Sequence, residues 1–464
     1  MTSRVVLSAL AAAGLTTSPA LAKQGPLAQA LGAQDDLQIS VSARSRFEGI
    51  DNQFRASGPD ADSMLSLRTD LVAEYDAGPV RIGGEVQDSR AYFQRSNSTA
   101  STGEVNALEP VQAFLRVELG DTGTGAFGKG AKGGHGLLTL GRFTMDLGSR
   151  RLVARNRFRN TTNAFTGVQG EWTSASGLRA VGFWTMPQVR RPDAAADVAD
   201  NKIELDREST ASQFFGGDLT LPSVLGGTLE GYAFRLVERD RSDLATRNRR
   251  LWTLGARLFA RPVAGKFDHD LEAAWQGGTA RRSTAGADVA DLDVSAWLVH
   301  AEAGYTFKGG WSPRLSGLID AASGDSARAG HYRRFDTLFG ARRSEFGPTS
   351  LFGPLQRSNI ISPGLRVEAA PTKRLDLMAA VRPGWAETAR DAFAATGVKD
   401  PGGASGRFAG TQLEGRVRYW LVPGLMQSDM GAAALFKGRL LRSAPNGRDN
   451  GDTLYGYWDL TLTL

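Results

Sequence analysis

The stretch LTLGRFTMDLGSRRLVARNRFRNTTNAFTGVQGEW, residues 138–172, decides how the whole chain is interpreted. Leu138 and Leu140 alternate with polar or small residues, which predicts a short strand with one apolar face. A second strand is predicted to leave through Trp172. The loop between the strands carries an excess of arginine, and Asp146 is the one opposing charge within it. Guanidinium groups in such excess favour anions as neighbours. The arginines are Arg142, Arg150, Arg151, Arg155, Arg157 and Arg159.

The N-terminal residues have the composition of a secretory signal. Arg4 supplies a positive charge, residues 5–15 are apolar, and Ala20-Leu21-Ala22 fits the small-x-small pattern of a cleavage site. The apolar run is shorter than the roughly 18–20 residues of a membrane-spanning helix, and no later segment contains such a run. The predicted divisions are a signal peptide at residues 1–22, a polar lead-in at 23–36 and one domain at 37–464.

Composition limits the partners of this exported chain. The 464 residues contain no cysteine and carry a formal net charge of +6. Export without cysteine is compatible with an oxidising compartment managed without disulfides. The positive charge favours nucleic acid or an acidic glycan as partner, and export argues against nucleic acid.

Segments with a two-residue period follow one another from residue 37 to the end of the chain. In the first, Leu37, Ile39 and Val41 alternate with polar residues, so one face is apolar and the other faces water. The alternation recurs at residues 65–75, 80–87, 112–119, 252–258, 270–276, 297–306 and 458–464. Candidates for aromatic girdles at the membrane interfaces are Trp172, Trp252, Trp275, Trp297, Trp458 and Tyr305.

Short turns alternate with long polar loops along the chain. The turns lie near residues 76–79, 174–177, 261–266, 308–312 and 371–373, and the loops near 50–62, 88–109, 144–164, 187–212, 238–248, 278–291, 323–359, 387–406 and 443–452. This rhythm is typical of an outer-membrane barrel with short periplasmic turns. It predicts an all-β fold, a closed antiparallel transmembrane β-barrel of about 18 strands, with the strand near Leu37 paired to the strand near Leu464. A two-sheet sandwich is the competing architecture, and it usually has roughly seven to nine strands.

Two sequence patterns are candidates for a cofactor site or a metal site, and neither has the residues or spacing that such a site needs. Gly123-x-Gly125-x-x-Gly128-Lys129 resembles a phosphate loop, but Gly130 stands where Ser or Thr is needed and no helix follows. The four histidines have no ligand spacing. The sequence therefore predicts no cofactor and no metal, and residues 120–136 are predicted to form an unusually long periplasmic turn.

One pair of side chains could support acid–base chemistry. His300 and Glu302 share a strand face, and a barrel with a Ser–His pair could hydrolyse lipids. No nucleophile is identifiable beside them, so a hydrated pair in the lumen is favoured and no catalytic residue is predicted.

Arginines on the water-facing side of the strands are the candidate pore lining. Some would brace the wall by pairing with strand carboxylates. The cluster in the loop at residues 144–164 lacks local acids, and rings of Arg and Lys are how pores favour anions. The predicted pore-lining residues are Arg44, Arg68, Arg81, Arg116, Arg142, Arg150, Arg151, Arg155, Arg159 and Arg257. The long loop at residues 323–359 is a candidate lid or constriction because of its length.

Short motifs spread along the chain resemble the alginate export porin family. Around the arginine loop these are Gly141-Arg142, Gly148, Arg151-Leu152-Val153, Asn160 and Phe165-Thr166-Gly167-Val168. Further similar pieces are residues 86–92, 112–115, 254–258, 322–325, 335–339, 345–347, 357–359 and 371–373. The chain departs from the family pattern at residues 339–343, where the family usually has Pro and His, and at Leu464, where such barrels commonly end in Phe.

The resemblance implies an 18-stranded outer-membrane barrel whose electropositive pore passes an anionic uronate polysaccharide to the exterior. By position, Arg142, Arg151 and Arg257 would line the pore. The expected partners are an anionic polysaccharide or small anions, outer-membrane lipid and periplasmic export or assembly machinery, and the expected state is a monomer. A general or uptake porin for small anions, a structural barrel with an occluded lumen and a lipid-hydrolysing barrel stay open as alternatives.

Overall fold

The computed structural model describes residues 34–121 and 134–464, together with Leu27, Ala30 and Gly32. The predicted signal peptide and the Gly123–Lys129 pattern lie outside the described residues. Eighteen long strands form one antiparallel sheet. They are β1 Leu37–Asp51, β2 Asp62–Asp76, β3 Val80–Tyr92, β4 Asn106–Asp121, β5 His135–Phe143, β6 Phe165–Thr173, β7 Arg179–Pro187, β8 Ser212–Val224, β9 Gly227–Glu238, β10 Arg250–Ala260, β11 Phe267–Ala280, β12 Leu292–Thr306, β13 Arg314–Ala322, β14 Ile360–Thr372, β15 Leu375–Trp385, β16 Phe408–Val422, β17 Met426–Lys437 and β18 Thr453–Thr463.

The sheet closes on itself as the sequence predicts. The β1 strand pairs with β18 from Ser42 opposite Thr463 to Asp51 opposite Leu454, and every other long strand pairs with its two neighbours in sequence. Closure leaves no strand edge unpaired, which is what a sheet in lipid requires. The predicted barrel of 18 strands is therefore confirmed.

The apolar face of the strands forms the outer surface. Side chains such as Phe47, Leu67, Leu254 and Val299 are exposed, while their sequence neighbours point inward. Such exposure would be unfavourable in water, but in a barrel these side chains face lipid. Among the predicted girdle residues, Trp252, Trp275 and Trp458 are exposed on this surface.

Long and short connections lie at opposite ends of the barrel. The external loops at residues 144–164 and 323–359 connect β5 to β6 and β13 to β14. Three short helices also lie in external loops: α1 Ala195–Ala199, α2 Arg343–Phe346 and α3 Arg439–Ser443. The two-residue strand His331–Tyr332 pairs parallel to β12. Among the described residues, no helix has the length and apolar character needed to cross a membrane.

Candidate functional site: the barrel lumen

The loop at residues 144–164, called loop A, crosses the lumen from one wall to the opposite wall. On one side the guanidinium of Arg155 forms an ion pair with Glu85 of β3. Near the same wall, Arg44 of β1 donates to the carbonyls of Arg157 and Phe158, each at 3.1 Å. On the other side Arg151 reaches β11. Because β3 and β11 are eight positions apart in a ring of eighteen, loop A spans the barrel.

The loop at residues 323–359, called loop B, folds into the same space and pairs with loop A. Phe339 donates its amide proton to the carbonyl of Leu152 at 2.9 Å, and its own carbonyl accepts from the amide of Ala154 at 3.1 Å. The amide of Ala341 donates to the carbonyl of Arg150 at 3.0 Å. The two loops thus form a short parallel ribbon. This ribbon is the feature that gives loop B the position expected of a constriction.

An aromatic cluster holds the ribbon against the wall. The ring of Phe339 packs on Phe165 and Phe214, with centroid distances of 5.2 and 5.0 Å. Phe214 in turn contacts Phe183 and Phe234 from β7 and β9, at 5.1 and 5.7 Å. Edge-on and tilted ring contacts of this kind add stability beyond the buried area alone. The lumen at this level is therefore packed on the β6–β9 side.

Arg151 anchors the crossing. Its guanidinium contacts Glu272 at 2.5 Å and Asp270 at 2.8 Å on β11, and Glu345 of α2 at 3.2 Å. Burial acts to lower the pKa of Arg151, but Glu345, Glu272 and Asp270 outweigh it and the pKa is raised. Glu345 also forms an ion pair with Arg357 within loop B. One buried cation therefore links loop A, loop B and the wall.

Most of the predicted pore-lining arginines contact carboxylates. On the wall, Arg257 contacts Asp270 at 2.7 Å and Glu230 at 3.0 Å, and Arg68 contacts Asp70 at 2.9 Å. The remaining wall contacts are Arg81 with Glu118 at 2.9 Å and Arg116 with Glu74 at 3.8 Å. Carboxylates on the strands of the wall therefore balance the positive charges of these arginines.

Arg142 takes a different position from the one expected. In the ladder it lies opposite Ala113 and shares a side of the sheet with Leu140, whose side chain is exposed on the outer surface. Its guanidinium contacts Glu109 at 2.6 Å and Glu208 at 2.8 Å, at the external end of the barrel. The prediction that Arg142 lines the lumen is corrected, because the two-residue period that places Leu140 outside also places Arg142 outside.

A second set of cations has no carboxylate partner among the described residues. We call Arg44, Arg159, Arg190 and Arg342 the unpaired cluster. The side-chain oxygen Oδ1 of Asn163 accepts from both Arg159 Nη2 and Arg190 Nη1, each at 2.7 Å. The Nε atoms of Arg44 and Arg190 are buried without a hydrogen-bond partner in the described part of the chain. These two guanidinium groups share one neutral oxygen and form no ion pair within the described residues, and nearby carboxylates such as Glu104 only partly offset their positive charge.

The mutual repulsion within this cluster shows in its electrostatics. Burial lowers the pKa of Arg159 well below its ordinary value, and Arg190, Arg342 and Arg68 add to the lowering, with Glu104 opposing it. The pKa of Arg342 is lowered to about 10 by burial and by Arg357. The lowered pKa values mean that the charged guanidinium groups are destabilised. A bound anion would offset this destabilisation.

Sequence reasoning found Arg44 and Arg159 but missed Arg190 and Arg342. Both missed residues belong to Arg-Arg pairs, Arg190-Arg191 and Arg342-Arg343, in long external loops. Those pairs were the available signal. Their meeting in the lumen depends on the inward folding of two separate loops, which alternation along strands cannot reveal. Arg150, the remaining predicted lining residue, forms no ion pair within the described residues, and its carbonyl belongs to the ribbon.

The two residues considered for acid–base chemistry, His300 and Glu302, contact different partners in the structure. His300 Nδ1 lies 2.9 Å from Asp320 Oδ1, and Glu302 contacts Arg314 at 2.8 Å. His300 is buried, and its Nε2 atom has no hydrogen-bond partner among the described residues. A Ser–His pair needs a hydroxyl at that atom, and none is bound there in the part of the chain that the structure describes. Those residues also contain no group of three or more His, Asp and Glu placed to hold a metal ion.

The family of this chain is shown by a family model that matches most of its length. The model for alginate export matches residues 35–452. The chain belongs to the alginate export family. It is an outer-membrane porin, and family and fold together indicate the outer membrane of a Gram-negative cell. Comparison with curated protein sequences gives no match.

The fold of this porin is similar to that of several solved outer-membrane porins. OccAB1 of Acinetobacter baumannii is 12% identical with a TM-score of 0.57, over 92% of this chain and 96% of that one. OccK8 (OprE) of Pseudomonas aeruginosa is 14% identical with a TM-score of 0.56, over 93% and 98%. OccK2 (OpdF) of Pseudomonas aeruginosa, solved in complex with glucuronate, is 13% identical with a TM-score of 0.56, over 93% and 96%.

Proposed function

We propose that this porin conducts anionic solutes, and that an alginate-like uronate polysaccharide or oligosaccharide is its substrate. The observation that carries the proposal is the unpaired cluster, in which Arg159 and Arg190 share one amide oxygen. A carboxylate entering the lumen would accept hydrogen bonds from guanidinium groups that no carboxylate among the described residues already occupies. Anions would therefore be favoured over cations at this point of the channel.

The paired arginines have a different role in this proposal. Arg151 and Arg257 contact carboxylates at short distances, so they hold loops and wall in place and contribute little net charge. Arg81 does the same near the periplasmic end, where Arg116 has only a longer contact of 3.8 Å with Glu74. The arginines that select anions are then a minority of those facing the lumen.

Uptake of small anions is the second candidate. The crossing of loops A and B divides the lumen, which favours a single sugar unit at a time over a wide passage. Glucuronate is the ligand in the complex of OccK2, a porin of similar fold. A monomeric uronate and one unit of a uronate chain present the same carboxylate, so the unpaired cluster suits both.

Planar-bilayer recording of the mature porin separates these possibilities. A salt gradient should give a reversal potential on the anion-selective side. Oligomers of uronate added to one side should produce current blocks that lengthen with chain length if a polymer threads the pore. Blocks by glucuronate alone, with no effect of chain length, would favour small-anion uptake. Cation selectivity, or no conductance at all, would overturn the proposal and favour a structural barrel.

A further inference from the structure

The periplasmic half of the outer wall contains a groove that the channel function does not use. It has a volume of about 800 Å³ and lies over β14–β17. Its floor is one rung of the ladder, where Ala379 of β15, Gly415 of β16 and Ala432 of β17 stand side by side. Because these three residues are small, they leave a space on the outer surface, whereas larger side chains cover the strands at neighbouring rungs.

Apolar side chains form the rim of the groove. Val417 and Met430 occupy the next rung towards the periplasm, and both are exposed on the outer surface. Trp311, which is 60% exposed, covers the end of the groove from the turn between β12 and β13. The amide of Ala370 donates to the carbonyl of Trp311 at 3.0 Å and fixes this turn beside β14. Tryptophan at such a height is typical of the level of lipid headgroups.

The turns around the groove carry a one-sided charge. Three consecutive periplasmic turns, residues 261–266, 307–313 and 373–374, contain five cations and no carboxylate. All five side chains are exposed and none forms an ion pair within the described residues. The turns at residues 77–79, 174–178, 225–226 and 423–425 contain no Lys or Arg, whereas the sequence of the connection at 122–133 contains Lys129 and Lys132. The five cations are Arg261, Lys266, Lys308, Lys373 and Arg374.

We propose that this wall binds one anionic phospholipid, with an acyl chain in the groove and its phosphate beside Lys308, Lys373 and Arg374. Two features together identify the occupant. The lining of the groove is apolar apart from Arg416, as an acyl chain requires, and the exposed cations of the adjoining turns lie at its periplasmic end. A site of about 800 Å³ is within the usual size of ligand pockets. Basic residues beside a membrane-embedded groove are a recognised way of selecting anionic headgroups.

Native mass spectrometry tests the charge part of the proposal. The porin should be released from detergent micelles containing equal phosphatidylglycerol and phosphatidylethanolamine with one phosphatidylglycerol retained. Each cation near a headgroup contributes about a five-fold change in affinity, so Lys308→Ser, Lys373→Ser and Arg374→Ser together should weaken retention roughly 100-fold. The control removes three exposed cations at the external end, Arg239, Arg241 and Lys399, and should retain the lipid as the unmodified porin does.

Filling the groove tests the apolar part. A Cβ atom added at Gly415 meets no atom within 4 Å, so the backbone there accepts a side chain, and the ring of Gly415→Phe should fill the groove and abolish retention. Gly182 of β7, on the outer face of another wall, has the same free space, and Gly182→Phe is the matched control. Loss of phosphatidylglycerol in both glycine variants, or equal retention of both lipids by the unmodified porin, would overturn the proposal.

A second copy of the chain is the other possible occupant. Because the chain has no cysteine, Gly415→Cys introduces a single thiol into the groove. Efficient disulfide-linked dimers in membranes would show that the groove is a protein interface and would contradict the proposal. Monomers that still retain phosphatidylglycerol are the result expected.

Discussion

Two groups of arginines lie near each other in this lumen, and they differ in the groups that surround them. Arg151 is surrounded by Glu272, Asp270 and Glu345, whereas Arg159 and Arg190 share the amide oxygen of Asn163. The first group is neutralised where it lies. The second keeps its charge and lies partly accessible in the channel.

The difference shows what a buried cation can be used for. A guanidinium with short carboxylate contacts stabilises an arrangement of loops, and removing it leaves buried anions behind. A guanidinium held only by amide or carbonyl oxygens is oriented but not neutralised, so its field acts on whatever passes. In the proposed function, arginine therefore serves both to anchor the loops and to select anions.

The largest expected effect comes from removing the anchor. In Arg151→Met, Glu272 loses its cation while staying buried, and the anchoring of the two loops should weaken by about 3–5 kcal/mol. Hydrogen exchange of the amides at Phe339 and Ala154 should speed up accordingly. The control Arg116→Met removes a wall arginine whose side chain is 27% exposed and whose contact with Glu74 is 3.8 Å, and it should change stability by less than about 1 kcal/mol. Equal effects of the two substitutions would show that Arg151 is not an anchor.

Acid should weaken the same anchor in a defined range. Burial acts to raise the pKa of Glu345, but Arg357 and Arg151 outweigh it, and the pKa is lowered to about 2. Since the folded value lies below the ordinary one, the carboxylate stabilises loop B above about pH 4.5. That contribution, of the order of 3 kcal/mol, is lost as the pH falls from about 4.5 to 2. Exchange at Phe339 should rise over this range, and Glu345→Gln should remove the dependence. A pH-independent exchange rate in the unmodified porin would contradict the assignment.

A smaller effect is expected from separating the two loops without changing charge. A methyl group at Gly340 would lie 1.8 Å from the carbonyl oxygen of Arg151, so Gly340→Ala must displace the ribbon, at a cost of about 1–3 kcal/mol. Channel noise should increase while anion preference is kept. Gly286, in an external loop with open space around it, provides the control Gly286→Ala. Quiet channels in Gly340→Ala would mean that the ribbon does not shape the constriction.

The sequence predicted the wall far better than the lumen. The two-residue period of segments such as 65–75 and 297–305 placed apolar residues outside and polar residues inside, and the structure agrees. The partners of Arg151 could not be predicted, since Asp270 and Glu272 lie 119 and 121 residues away along the chain. Arg190 and Arg342 were missed for the same reason, because only the folded loops bring them together.

Arg142 shows a conflict between strand periodicity and family resemblance. Its spacing from Leu140 places it on the apolar side of the strand, whereas the resemblance implied a position in the lumen. The ladder follows the strand period. At this residue, side-chain phase within the strand predicts position better than the resemblance does.

The most direct test of the account is the reversal potential, in a salt gradient, of Arg159→Gln combined with Arg190→Gln. Each guanidinium contributes about 1 kcal/mol to an anion about 4 Å away even under water-like screening, so the anion-to-cation permeability ratio should fall at least about five-fold. Two controls accompany it: Arg81→Gln with Glu118→Gln, which removes an ion pair from the wall, and Arg239→Gln with Arg241→Gln, which removes the same charge from the external surface. Both controls should keep the selectivity of the unmodified porin. Unchanged selectivity in the Arg159 and Arg190 variant, or an equal loss in the controls, would contradict the claim that the unpaired cluster selects anions.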